Sequence, residues 1–142
     1  MRRTFIVLLL MCLTGCHESG TWQDDPGNFE RVFNIEKPVD VTVVNSWYWR
    51  SPHWTYEFAY FLHIRGNVDF QDRLIQRNKL KRMPAGGEKN DITNFADEKP
   101  AWFIPGTLDQ YEIWTYVDRP SNSFRVFIDR RTGDIFLSDH QL

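Results

Sequence analysis

The longest regular pattern in the chain runs from residue 39 to residue 65. Val39, Val41, Val43, Trp47 and Trp49 alternate with Asp40, Thr42, Ser46 and Arg50. Further on, Trp54, Tyr56, Phe58, Tyr60, Leu62 and Ile64 alternate with His53, Thr55, Glu57, His63 and Arg65. A period of two sustained over this length specifies strands with one face buried. A loop from Arg50 to His53 around Pro52 turns the two segments into a hairpin. Its register sets Trp49 against Trp54, Trp47 against Tyr56, Val43 against Tyr60 and Val41 against Leu62. One face then gathers nearly all the large apolar groups, and Asp40 stands opposite His63 on the other.

The remaining elements follow from weaker signals. Phe29, Val32 and Phe33 stand at helical spacing within residues 28–35. Asn67 caps a helix predicted over 68–81, with Phe70, Leu74 and Ile75 as its apolar stripe and Arg77, Lys79, Lys81 and Arg82 crowding its end, where cations suit the helix dipole. Residues 84–108 carry three prolines and three glycines and read as a long irregular loop. Residues 111–117 form a strand. Residues 124–129 and 135–138 close a hairpin around Arg130-Arg131-Thr132-Gly133, which places Ile128 opposite Ile135, Phe127 opposite Phe136 and Val126 opposite Leu137. This last segment is similar to the final hairpin of PepSY-type domains, a likeness of turn signature that implies no function. The expected fold is α+β: an antiparallel sheet of about four to five strands with one main helix packed on one face.

The N-terminus carries an address. Arg2 and Arg3 precede a short apolar run from Phe5 to Leu13, about half the length that a spanning helix needs. The run closes on Leu13-Thr14-Gly15-Cys16, which resembles the lipobox of bacterial lipoproteins at all four positions. The resemblance implies that residues 1–15 are a signal peptide and that Cys16 is acylated. His17 follows where an aspartate would imply inner-membrane retention, so the expectation is an outer-membrane lipid anchor with the domain in the periplasm; the inner membrane and the cell surface are the alternatives. Residues 16–27 are polar, contain Gly and Pro, and read as a tether to a single domain over 28–142.

Composition narrows the function. The 142 residues are 42% apolar and 25% charged, with 6 Trp, 5 Tyr and 11 Phe, which excludes a disordered chain. The formal charge is -2, and loss of Arg2 and Arg3 leaves 15 Lys+Arg against 19 Asp+Glu, a net -4. Such a domain lacks the electrostatic footprint of a nucleic-acid binder. The two cysteines, Cys12 and Cys16, both lie at the N-terminus, so the domain itself is held by its core and not by disulfides. No GxSxG, HExxH, Walker loop, GxGxxG or paired CxxC occurs, and no catalytic, cofactor or metal residue is assigned. The expectation is therefore a non-enzymatic protein-binding module at the cell envelope, of immunity or assembly type. A carbohydrate- or peptidoglycan-binding protein or hydrolase is the alternative. The contact surface expected for a protein partner is the outward face of the first hairpin: Tyr48, Arg50, His53, Glu57, Phe61 and His63. Tyr and Arg are common interface anchors, and Phe61 stands where the alternation calls for a polar residue. The competing reading is that the 84–108 loop covers this face and turns it into a second core.

Overall fold

The computed structural model describes residues 18–83, 99–103, 105, 109–117 and 123–141. Cys16, the signal segment and most of the 84–108 loop lie outside these residues. The described elements are, in chain order, β1 (Gly20–Gln23), α1 (Asn28–Phe33), β2 (Thr42–Arg50), β3 (Phe58–Arg65), α2 (Val68–Arg77), β4 (Leu80–Arg82), β5 (Tyr111–Tyr116), β6 (Arg125–Asp129) and β7 (Ile135–Gln141). The strands form one antiparallel sheet in the order β1-β2-β3-β7-β6-β5-β4.

This corrects the expected fold class. The sheet has seven strands among the described residues, not four to five, and it carries two short helices in place of one main helix over 68–81. The helix stops at Arg77 because Asn78 and Lys79 leave helical geometry, Lys79 with a left-handed φ of 48°, and the chain re-enters the sheet as β4. At the other edge, Gly20–Gln23 pairs with β2 inside the stretch that reads as a tether. Neither edge strand is long enough to show a period of two, so neither is visible as a pattern.

The β6–β7 hairpin has the expected register, with Ile128, Phe127 and Val126 opposite Ile135, Phe136 and Leu137. Asp129 organises its turn. Its Oδ1 accepts from the backbone N–H groups of Arg131 and Thr132, and the Gly133 N–H donates to the Asp129 carbonyl at φ +75°. The first hairpin is set differently. Residues 51–57 form its loop, closed by the Ser51 N–H donating to the Glu57 carbonyl, and β3 starts only at Phe58. Trp47 therefore faces Phe61, Tyr48 faces Tyr60 and Trp49 faces Ala59. The apolar alternation continues into the loop through Trp54 and Tyr56, which is why the strand reads longer than it is.

A β-bulge decides which residues face which way. The register shifts between Val43, opposite Ile64, and Asn45, opposite His63, which leaves Val44 as the extra residue. Before the bulge Val41 and Val43 face the helices; after it Ser46 and Tyr48 do. Trp47 is thereby sent to the opposite side, against Phe61.

The sheet is thus buried on both faces. Under the helices, Phe29, Phe70 and Leu74 pack on Tyr48, Tyr60, Leu62, Ile64, Val126, Ile135 and Leu137. Fully buried Asn28 pins α1 in place, its Nδ2 donating to the Trp22 carbonyl and to Ser46 Oγ while its Oδ1 accepts from Arg31. On the far face, Phe103 seats among Phe61, Phe127 and Phe136, with Tyr111 and the partly buried Trp47 and Trp102 around them.

Candidate interaction surfaces

The six residues expected to share one open face do not do so. Tyr48 is 4% exposed, lies under the helices and stacks on Tyr60 with the rings 7° from parallel. Burial, together with the nearby Tyr56 hydroxyl, pushes its phenol pKa up to about 12. Phe61 is 1% exposed on the opposite side, 4.9 Å from the Phe103 ring. His63 is half-buried: its imidazole stacks on Phe136 at 4.2 Å and its Nε2 lies 3.1 Å from Asp134 Oδ2. Asp134, not Asp40, is thus the carboxylate beside His63, and it also accepts from Arg65 Nε at 3.4 Å. Asp40 instead accepts from the Nδ2 of Asn67, the residue whose Oδ1 caps α2 at Phe70. The covered face is the outcome that the loop reading anticipates, and Trp102 and Phe103 supply the cover.

Arg50, His53 and Glu57 do stay together at one end of the sheet, in or beside the 51–57 loop. The Arg50 guanidinium lies 4.2 Å from the Tyr56 ring centroid, Glu57 Oε1 accepts from Thr55 Oγ1, and His53 is exposed. The residue missed here is Trp54. Its side chain is fully exposed at the loop tip, beside exposed Pro52 and half-exposed Tyr56. The strand pattern hides it, since a Trp in phase with Phe58 and Tyr60 reads as core.

At the opposite end of the sheet a groove of about 370 Å³ opens between α1 and α2. Phe33, Phe70 and Leu74 form its floor, and Ile35, Arg73 and Arg77 form its rim. The floor is rigid: Phe33 packs on Phe29 at 4.5 Å and edge-on to Phe70 at 6.4 Å. Arg73 approaches Asp40 at only 3.9 Å and is largely exposed. A second groove of about 340 Å³ runs beside residues 41–46, but its acids are already engaged. Asp24 Oδ1 accepts from the Ser46 N–H, and Asp25 Oδ1 accepts from Arg31 and from the Gly27 N–H, which hold its carboxyl below the usual range.

Among the described residues no group of three His, Cys, Asp or Glu could hold a metal ion, and no helix is long and apolar enough to cross a membrane. Ser123, Asp139 and His140 are neighbours: the single Ser123 hydroxyl proton faces two acceptors, the Asp139 carboxylate and the His140 carbonyl, and Ser123 Oγ accepts from the His140 backbone N–H. These bonds tie the chain before β6 to β7. No protein-family model, curated protein or solved structure matches the chain.

Proposed function

We propose that the chain is a small bacterial lipoprotein, anchored through acylated Cys16 in the outer membrane, whose domain is a non-enzymatic protein-binding module. Its contact surface is the groove between α1 and α2. The observation that carries this reading is the pairing of an aromatic floor with two arginines at the rim. Phe33 and Phe70 offer apolar area that is already fixed in place, so little ordering entropy is lost when a partner side chain enters. Arg73 and Arg77 present guanidinium forks to carboxylates. The partner this surface fits is a segment with one or two large apolar side chains flanked by Asp or Glu.

The test is photocrosslinking in the native envelope from a benzophenone amino acid at Gln76 on the groove wall. The expected result is a discrete crosslinked protein whose joined peptide carries carboxylates. The adduct is lost when Arg73 and Arg77 are both changed to Glu and is absent when the probe sits at Thr132 in the β6–β7 turn. A crosslink to lipid alone, or an adduct indifferent to the charge reversal, would refute it. The anchor is tested separately: Cys16→Ser is expected to abolish sedimentation with outer membranes.

A further inference from the structure

The β1–β2 register brings two distant parts of the chain to one place. Gly20, at the start of β1, lies opposite Arg50, at the last position of β2 before the 51–57 loop. Cys16 precedes Gly20 by four residues, a span of at most about 14 Å even when fully extended. A bilayer that holds Cys16 therefore lies at the end of the sheet that carries Trp54, whereas the groove between α1 and α2 lies at the other end.

The loop itself has the composition of the headgroup layer. Trp54 is 106% exposed and offers a large amphipathic ring to solvent at the loop tip, while Tyr56, 50% exposed, packs edge-on to Phe58 with the Arg50 guanidinium over its ring. Such rings favour the membrane–water interface, where the ring body leaves water and the indole N–H or phenol O–H keeps a hydrogen bond. From Arg50 to Tyr56 the sequence RSPHWTY has no acidic residue, and Arg50 and His53 suit phosphate oxygens. Glu57, at the loop base, is already engaged by Thr55.

The geometry points to the 51–57 loop as a second membrane contact, with Trp54 seated in the headgroup layer beside the Cys16 anchor. The inference rests on the reading of Cys16 as the acylated residue. One acyl-anchored point leaves a domain free to tumble; a second contact at the same end fixes its long axis and holds the α1–α2 groove towards the periplasm.

The test uses the full lipidated protein, purified from membranes with 5-fluorotryptophan in place of Trp and placed in bilayer discs of phosphatidylethanolamine and phosphatidylglycerol. Trp54→Phe identifies the Trp54 fluorine resonance without touching the core. Headgroup spin-labelled lipid is expected to erase that resonance and to spare Trp114. The Trp114 position lines up across the sheet with Val126, Leu137, Leu62 and Ser46, about 13 Å back from Arg50 along β2. Survival of the Trp54 resonance in protein whose Cys16 is shown by mass spectrometry to be acylated would overturn the proposal. So would a Trp54 resonance that changes only when a purified protein partner is added, which would make the loop a protein contact. Unmodified Cys16 in the purified protein would remove the anchor itself, a failure distinguishable from the other two.

Discussion

Replacing Phe61 with Ala tests the two-sided core directly. Phe61 is 1% exposed and its ring sits 4.9 Å from Phe103 and 5.7 Å from Trp47. Truncating a fully buried Phe removes its transfer free energy and leaves a cavity, together about 3–5 kcal/mol. For a domain of this size that is a fall in Tm of about 10–20 °C. Phe103→Ala should cost a similar amount. Because the two rings meet edge to face, the double variant should lose less than the two losses combined, with a coupling of about 0.5–1.5 kcal/mol. Equilibrium urea unfolding of the four proteins, followed by far-ultraviolet circular dichroism, measures all three quantities. A loss below about 1 kcal/mol for Phe61→Ala is the cost of an exposed substitution; it would mean that the 99–103 segment does not cover this face.

Three further outcomes are expected. Burial, aided by Arg125 and opposed by Asp139, lowers the His140 pKa, so the unfolded chain binds the proton more readily than the folded one. Stability should therefore be fully present above the ordinary histidine value near 6.5 and decline as pH falls through it, and His140→Gln should flatten that part of a pH series of unfolding midpoints. Gly133→Ala forces a Cβ into φ +75° and to 3.3 Å from Gln71 Nε2, so thermal unfolding should reveal a loss of about 1–2 kcal/mol. Asn67→Ala removes both the α2 cap and the bond to Asp40, and should cost about 1 kcal/mol, with amide exchange rising first at Phe70.

The parts of the fold legible in the sequence are those whose signal is local. The β6–β7 register follows from Gly133 and from matched Ile, Val and Phe positions, and α1 and the start of α2 follow from spacing and from Asn67. The first hairpin misleads because period two is blind to a single inserted residue: the bulge at Val44 reverses the phase midway along β2, so Tyr48 and Trp47 exchange sides. The candidate groove was illegible for a different reason. Phe33 and Phe70 each read as core on their own helices, and only the approach of α1 to α2 leaves a gap between them.

The strand order has a consequence for how the chain reaches this structure. Every neighbouring pair but one joins strands that are consecutive in the chain; the exception is β3 with β7, which has the whole of α2, β4, β5 and β6 between its partners. The first three strands can thus form as one meander and the last four as another, with the longer closures inside them being the connection through α1 between β1 and β2 and the one between β4 and β5. The entropy of long-range closure then falls on the β3–β7 seam. That seam carries Leu62 opposite Leu137 and Ile64 opposite Ile135, the centre of the apolar layer under the helices. Its docking is the step expected to limit the folding rate, and until it occurs both half-sheets present bare strand edges through which two chains could exchange halves.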